Sequence, residues 1–126
     1  MMKTVMVVDD DGQLRSVVKT ILKKEGYKVV EAGSGERCIE LLKSGEKPDL
    51  ILLDVMMPDM DGWETCKIIK EDQDIKDLTV AMLTLRSQDH DKMESLGLAT
   101  ADWHIDKPIN KTRFVKTVKW LLGERV

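Results

Sequence analysis

The fold is decided by residues 48–58, which read PDLILLDVMMP. The four consecutive apolar residues at 50–53 are too few for a globular helix, and the prolines on either side bound them, so they predict a strand buried on both faces. Asp54 follows this strand directly, where the chain turns. In an open parallel sheet, ligands bind just beyond the carboxyl ends of the strands. We therefore expect Asp54 to lie in a functional site.

The amino terminus repeats this pattern. Residues 5–8 form a second apolar run, VMVV, which is followed by Asp9, Asp10 and Asp11. If the two strands are parallel neighbours, these carboxylates and Asp54 converge at one edge, where like charges raise one another's pKa unless a cation neutralises them. Hard oxygen ligands with room for water suit Mg²⁺. The two runs thus predict an acidic Mg²⁺ pocket in which one carboxylate is left to act as a nucleophile.

Composition predicts one globular domain spanning residues 1–126. The chain has 42% hydrophobic and 34% charged residues, enough for a single core, and its net charge of −3 gives no electrostatic reason to expect nucleic acid. Cys38 and Cys66 lack metal-binding spacing and are expected to be reduced core residues. No apolar run approaches the roughly 18 residues of a membrane span, and residues 1–8 are too short for a signal peptide. We therefore expect a cytoplasmic protein.

Strands and helices are expected to alternate along the chain. Short β-rich runs predict strands at residues 4–8, 27–30, 50–53, 78–83 and 103–105. Apolar residues at helical spacing predict a helix after each strand, of which the fourth, residues 87–96, is polar and weakly amphipathic. Five such repeats favour right-handed crossovers and a parallel α/β sheet covered by helices on both faces.

Residues at the ends of four predicted strands resemble the receiver domain of two-component response regulators. They are Asp9 and Asp10, Asp54, Thr84, and the pair Lys107 and Pro108. The stretch at 54–62, DVMMPDMDG, is also very similar to the family's signature around its phosphorylated aspartate. The resemblance covers essentially the whole chain. It implies a doubly wound, flavodoxin-like (CheY-like) fold with five helices and a five-stranded parallel sheet of order 2-1-3-4-5.

The resemblance also implies the chemistry of the site. Asp54 would accept a phosphoryl group from a kinase histidine, and Lys107 and Thr84 would each contact a phosphoryl oxygen. Pro108 is expected to follow a cis peptide bond.

The resemblance also implies a bound divalent cation. Asp10 and Asp54 would bind Mg²⁺, or Mn²⁺ in its place, directly. Asp9 would hold the ion mostly through water, and Met56 would contribute its backbone carbonyl. The cation would screen the repulsion between these carboxylates and the incoming phosphoryl oxygens.

Phosphorylation adds roughly −1.5 to −2 charges at one carboxylate, which is the basis of the implied switch. Thr84 would move toward the phosphoryl group, and an aromatic side chain on the fifth strand would fill the vacated space. Alignment on Lys107 puts His104, and not Trp103, at that position. We hypothesise that His104 has this role, while an ordinary edge-strand histidine remains the alternative. The surface of the fourth predicted helix, the fifth strand and the last helix would then change for protein partners.

Three further side chains stand out. Leu85 follows Thr84 where the family usually has a small residue, so slow autodephosphorylation is expected, and Met56 is the second position expected to tune the reaction. Trp120 falls off the apolar stripe of the last helix and is expected to be partly exposed. An exposed tryptophan there indicates a surface for a partner or for self-association.

Three other classes of site fit the sequence less well. Residues 59–62 resemble part of a Ca²⁺ loop, but its first and last ligand positions would fall on Met57 and Ile68, which cannot ligate. Residues 33–35 lack the third glycine of a dinucleotide fingerprint. A phosphatase with an aspartate nucleophile would need a second aspartate two residues after Asp54 as general acid, and the chain has none there.

The sequence therefore favours a stand-alone signalling phosphoacceptor that assists its own phosphorylation and dephosphorylation, and not an independent enzyme. Expected partners are a sensor histidine kinase or a histidine phosphotransfer protein, and a downstream protein target. Nucleic acid and membrane are not expected as partners, and the chain is expected to be a monomer or a weak dimer. Two alternatives stay open: a phosphorelay intermediate or phosphate sink, and a non-switching adaptor.

Overall fold

A computed structural model describes residues 2–85, apart from the side chain of Leu85, and residues 101–124. The strands are β1 (Thr4–Val8), β2 (Lys28–Ala32), β3 (Leu50–Asp54), β4 (Val80–Leu85) and β5 (Trp103–Lys107). The helices within the described residues are α1 (Gly12–Lys24), α2 (Gly35–Lys43), α3 (Gly62–Glu71) and α4 (Lys111–Leu121).

The five strands form one sheet in the order β2-β1-β3-β4-β5, and every neighbouring pair is parallel. The predicted fold class and strand order are therefore confirmed. The fourth predicted helix, residues 87–96, lies outside the described residues. Because the strands are parallel, their five carboxyl ends lie at one edge of the sheet. The aspartates at the ends of β1 and β3 therefore lie at that edge.

The central strand is buried on both faces, as its unbroken apolar run predicts. All five residues of β3 are buried. Leu50 and Leu52 pack with α1 and α4 on one side of the sheet, whereas Ile51 and Leu53 pack with α2 and α3 on the other. The protein is thus three layers thick, with helices covering both faces of the sheet.

Strand ends differ from the sequence prediction mainly at polar residues. β2, β3 and β5 run on to Ala32, Asp54 and Lys107, because a polar side chain stops an apolar run without stopping the hydrogen-bonded ladder. β4 begins at Val80, two residues later than predicted. The preceding residues 73–77 form a turn, so Leu78 contributes an apolar side chain to the core without belonging to the strand.

Side-chain caps define where the helices begin. Ser34 caps α2 as predicted, because its hydroxyl accepts the Arg37 backbone N–H. Asp61 caps α3 by accepting from Glu64 N–H. Each cap satisfies one of the backbone donors that a helix start leaves without an intrahelical partner.

Gly62 allows α3 to start directly against the end of β3. Its N–H donates to the Val55 carbonyl at 2.9 Å. A Cβ at this position would lie 2.3 Å from the backbone oxygen of Asp54, closer than any side chain tolerates. This close approach fixes the turn that follows Asp54.

The two cysteines lie in the core as predicted. Cys38 on α2 and Cys66 on α3 are fully buried, and no disulfide joins them. Within residues 2–85 and 101–124, none of the helices has the length and apolar character needed to cross a bilayer.

Candidate functional site

Three carboxylates meet at the carboxyl edge of the sheet. Asp9 and Asp10 follow β1, Asp54 ends the adjacent β3, and one oxygen from each lies within 4.8 Å of the others. Asp9 and Asp54 are only 2% and 3% exposed, whereas Asp10 is exposed to solvent. Asp11 does not join this group, because its side chain caps α1 by accepting from the N–H groups of Gln13 and Leu14. The predicted convergence therefore holds for three of the four carboxylates.

Lys107 places a positive charge among these carboxylates. It lies at the end of β5, and its ammonium donates a hydrogen bond to Asp54 Oδ1. The same Nζ is 3.8 Å from Asp9 Oδ2. A buried carboxylate is strongly disfavoured unless it is paired, so this one cation helps two buried aspartates to ionise.

Burial dominates the electrostatics of both aspartates. It raises the pKa of Asp54 to about 6, against the lowering effect of the hydrogen bond from Lys107. Burial also raises the pKa of Asp9, which the Asp11 backbone N–H and the Lys107 charge partly oppose. The carboxylates repel each other as well, so a divalent cation between them would favour their charged forms.

Two buried oxygen atoms at this edge have no hydrogen-bond partner in the part of the chain that the structure describes: Asp9 Oδ2 and Thr84 Oγ1. Thr84 is 1% exposed and lies on β4, next to the strand that ends in Asp54. A buried polar atom without a partner costs about 1–3 kcal/mol, so such atoms indicate a place for a ligand. The carboxylate oxygens of Asp9, Asp10 and Asp54 fit a hard cation such as Mg²⁺.

Two residues orient Asp9 in a way that the sequence did not predict. Asp11 donates its backbone N–H to Asp9 Oδ1 at 2.9 Å, and Arg15 Nη1 donates to the Asp9 backbone carbonyl at 2.6 Å. An aspartate at a predicted helix start signals a cap, so the cap made by Asp11 was open to prediction. Arg15 gives no such signal, because its contacts depend on how α1 lies against the ends of β1 and β2.

The remaining predicted site residues lie on β4 and β5 or just after β3 and β5. The peptide bond preceding Pro108 is cis, the isomer expected there. Met56 lies two residues after the end of β3, and 59% of its surface is exposed. His104 is half-buried on β5, and its ring centroid lies 6.2 Å from that of Trp63 on α3. Leu85 ends β4, but its side chain lies outside the described part of the structure.

A pair of exposed tryptophans lies between β5 and α4. Trp103 and Trp120 are 44% and 56% exposed, and their rings meet edge to face with centroids 4.7 Å apart. The partial exposure predicted for Trp120 is confirmed. Lys116 and Thr117 line the same shallow apolar cleft.

Comparison with known sequences identifies one domain family. Residues 5–119 match the sequence profile of the response regulator receiver domain. The chain is 37% identical over 117 residues to the transcriptional regulatory protein YvrH of Bacillus subtilis, covering 92% of this chain and 47% of YvrH. It is 36% identical over 121 residues to the transcriptional regulatory protein CpxR of Escherichia coli, covering 96% of this chain and 50% of CpxR. The chain thus spans about half the length of these regulators.

A shorter relative and two solved structures match end to end. The polar-differentiation response regulator DivK of Brucella ovis is 30% identical over 124 residues, which cover 98% of this chain and 99% of DivK. A putative response regulator from Chloroflexus aurantiacus superimposes with a TM-score of 0.87 at 28% identity, covering 98% of this chain and all of that one. A CheY-like receiver domain from Methanospirillum hungatei gives 0.83 at 36% identity, covering 96% and 94%. The chain belongs to the response regulator receiver domain family of two-component signalling systems.

Proposed function

We propose that this protein is a Mg²⁺-dependent phosphoacceptor in which Asp54 takes a phosphoryl group from a phosphohistidine. The observation that carries the proposal is the arrangement around Asp54, a buried carboxylate to which Lys107 is bonded. On the next strand lies the Thr84 hydroxyl, which has no hydrogen-bond partner among the residues that the structure describes. With a pKa of about 6, this carboxyl is ionised at neutral pH and is available as a nucleophile.

The proposed transfer uses Asp54, Lys107 and Thr84. A carboxylate oxygen of Asp54 attacks phosphorus, the O–P bond forms, and the N–P bond to the donor histidine breaks with its electron pair returning to the imidazole nitrogen. Lys107 balances charge on a phosphoryl oxygen, and Thr84 donates its hydroxyl to another. The chain is in this account a signalling phosphoacceptor that assists its own modification, and not an independent enzyme.

The acidic cluster supplies the cation site. Asp9, Asp10 and Asp54 would hold Mg²⁺ or Mn²⁺, with the backbone carbonyl of Met56 as a further ligand. When bound, the cation supplies positive charge that offsets repulsion between the carboxylates and the incoming phosphoryl group. Asp9 contributes the buried oxygen that has no hydrogen-bond partner among the described residues, which supports this assignment.

The signal is proposed to leave through the β5 side of the sheet. Thr84 would move toward the new phosphoryl group, and His104 would change position on β5 in response. The fourth predicted helix, which belongs to the same surface, lies outside the described residues. Trp103 and Trp120 expose a large aromatic area there, and aromatic residues of this kind are frequent anchors in protein interfaces. Leu85 and Met56 are proposed to tune how long the phosphoryl group persists.

The proposed donors are a sensor histidine kinase or a histidine phosphotransfer protein, and the proposed recipient of the signal is a protein target in the cytoplasm. Neither nucleic acid nor a membrane is included among the partners. The two fully buried thiols without a disulfide are consistent with a reducing compartment.

Intact-mass measurement after incubation with a small phosphodonor tests the acceptor chemistry. The native chain is expected to gain one phosphoryl group only when Mg²⁺ is present, and Asp54→Asn is expected to gain none. Asp49→Asn is the matched control, because Asp49 lies at the exposed amino end of the same strand. Phosphorylation of Asp54→Asn at the native rate, or a native rate that ignores Mg²⁺, would refute the proposal.

Partner binding separates the switch from the alternative relay. If the phosphorylated chain binds a protein target more tightly than the unmodified chain, and Trp120→Ala removes that gain without slowing phosphorylation, the switch is supported. If the phosphoryl group instead passes to a histidine phosphotransfer protein and target binding does not increase, the relay is supported and the switch is rejected.

A further inference from the structure

The turn between β1 and α1, which carries Asp9 and Asp10, is held by one side chain from the helix. Arg15 Nη1 donates to the Asp9 backbone carbonyl at 2.6 Å, and its Nε lies 3.4 Å from Glu31 Oε1 on β2. The guanidinium also lies against Gly12 and Gly33, where a Cβ would come within 3.6 and 3.5 Å of its nitrogens. One planar group therefore ties together the ends of β1 and β2.

Asp9 is fixed at all but one of its polar atoms. Its N–H donates to the Ala32 carbonyl at 3.1 Å, its carbonyl accepts from Arg15, and its Oδ1 accepts the Asp11 N–H at 2.9 Å. Oδ2 has no hydrogen-bond partner among the described residues and lies 3.8 Å from Lys107 Nζ. These contacts leave one buried carboxylate oxygen in a set orientation beside Asp10 and Asp54.

We propose that Arg15 is a positioning residue for the divalent-cation site, acting through the backbone of Asp9 to present Oδ2 to the ion. This inference rests on the proposed function, because it takes the acidic cluster to be a cation site. Glu31 anchors the other end of Arg15 and is itself shared with Lys19, whose Nζ is 3.1 Å from Glu31 Oε2. Arginine suits the role because its rigid fork reaches two acceptors at once, which a lysine ammonium on a flexible stem does not.

A role of Arg15 as a charge and a role as a positioning residue predict opposite changes in Mg²⁺ affinity when Arg15 is removed. Taking a positive charge away from the vicinity of a cation site tightens cation binding by Coulomb's law alone. Losing the contact that orients a ligand weakens binding, and outer-shell changes of this kind typically reduce metal affinity about 10- to 100-fold. A weaker site in Arg15→Met is therefore a specific sign of positioning.

Lys19→Met is the matched control. Lys19 is one turn further along α1, carries the same charge and pairs with the same Glu31, but within the described residues it forms no hydrogen bond or ion pair with Asp9. We expect its Mg²⁺ dissociation constant to stay within about twofold of native, whereas Arg15→Met raises the constant about tenfold. Arg15→Lys is expected to resemble Arg15→Met, since it restores the charge but not the two-acceptor geometry.

Calorimetric Mg²⁺ titration of the native chain and these variants, without phosphodonor, gives the dissociation constants, and circular dichroism reports whether each variant is folded. A second readout is the phosphorylation rate, which saturating Mg²⁺ is expected to restore in Arg15→Met to within about twofold of native if only cation affinity has changed. Should Arg15→Met fail to fold, Glu31→Met removes the anchor while leaving the Asp9 contact, and binding about threefold weaker than in Glu31→Gln, which loses the same charge but keeps an acceptor, is expected.

Equal Mg²⁺ affinity in Arg15→Met and Lys19→Met would overturn the positioning role, and so would tighter binding in Arg15→Met, which would assign the effect to charge. Full recovery in Arg15→Lys would overturn it too, because the two-acceptor geometry would then not be needed. A phosphorylation rate that stays low in Arg15→Met at saturating Mg²⁺ would also overturn it. Failure of the native chain to bind Mg²⁺ would refute the cation site in the proposed function and this role with it.

Discussion

Leu53 and Asp54 are neighbours in β3 and are almost equally buried, at 0% and 3% exposure, yet their surroundings are opposite in kind. Leu53 belongs to an apolar layer that includes Ile51 of the same strand and continues through Met6 and Met82 of the neighbouring strands. Asp54 meets another buried carboxylate, Asp9, with one lysine bonded to it. We call residues 50–53 and the strand residues beside them the strand body, and Asp9, Asp54, Thr84 and Lys107 the carboxyl edge.

The strand body and the carboxyl edge contribute to stability with opposite signs. Burying an apolar side chain of leucine size stabilises the fold by about 1.5–3 kcal/mol. Burying a carboxylate disfavours its charged form, which is why burial raises the pKa of both Asp9 and Asp54. The edge can hold such groups because the strands that carry them are anchored in the body, a division often seen where function conflicts with stability. Four substitutions test this division.

The largest effect is expected in the body. Leu52→Ala removes a fully buried side chain from the layer shared with α1 and α4, and it should lower the free energy of unfolding by about 2–5 kcal/mol because the cavity fills only partly. Chemical denaturation at neutral pH measures this loss. The number of phosphoryl groups accepted per folded molecule should not change. A variant that keeps its stability but loses phosphoryl uptake would contradict the division.

Gly62→Ala tests the junction between the two regions. Its Cβ would lie 2.3 Å from the Asp54 backbone oxygen and 2.8 Å from the Val55 Cα, so the start of α3 must move. We expect a loss of about 2–3 kcal/mol in unfolding free energy and slower phosphorylation, because overpacking shifts backbone. Gly45→Ala is the control: it has a positive φ of 114° but nothing within 4 Å of the added Cβ. Its loss should be about 1 kcal/mol, with the phosphorylation rate unchanged.

Asp54→Asn should stabilise the metal-free protein, and the gain should depend on pH. The folded-state pKa of Asp54, about 6, lies above the ordinary value of 3.8. The contribution of this carboxyl to stability is therefore fully present below pH ~4 and is lost as the pH rises through ~6. A neutral asparagine has no such loss, so the variant should exceed the native chain by about 2 kcal/mol above pH 7 and by little near pH 4.

Denaturation in EDTA at the two pH values measures this difference, with Asp49→Asn as the control. Asp49 accepts the Thr4 N–H at the exposed amino end of β3, and its asparagine variant keeps an acceptor, so no pH-dependent gain is expected. A gain of the same size at both pH values would mean that packing, and not ionisation, separates Asp54→Asn from the native chain.

The strand body was easier to predict from sequence than the edge. An unbroken apolar run is a local signal, so β1, β3 and the order of elements follow from it. The edge depends on groups far apart in sequence: the family resemblance assigned Lys107 to the same site as Asp54, but the hydrogen bond between them was not predicted. Neither a local sequence pattern nor the family resemblance predicted the Arg15 contacts. They form only when α1 packs against β1 and β2, which brings the Arg15 guanidinium to Asp9 and Glu31. The location of residues carried by a motif was thus predictable, whereas the contacts that orient them were not.

The smallest effect on stability, and the sharpest test of the edge, is expected from Lys107→Met. Removing the ammonium leaves Asp54 and Asp9 without their shared cation, which should lower the metal-free unfolding free energy by about 1 kcal/mol at neutral pH. The same ammonium would compete with a divalent cation at the proposed site, so its loss should tighten Mg²⁺ binding about fivefold. Phosphorylation should nevertheless be slower, because Lys107 no longer balances charge on the phosphoryl group.

Lys70→Met provides the comparison from outside the carboxyl edge. Lys70 is similarly shielded, pairs with Asp102 at 2.8 Å and donates to the Leu78 carbonyl before β4. Its loss should also destabilise the fold but leave Mg²⁺ affinity unchanged. Calorimetric titration of both variants therefore separates a charge that opposes the cation from a lysine that only supports the fold. If Lys107→Met weakened Mg²⁺ binding, as is expected for Arg15→Met, Lys107 would have to act by orienting the carboxylates, and the edge would be organised by geometry more than by charge.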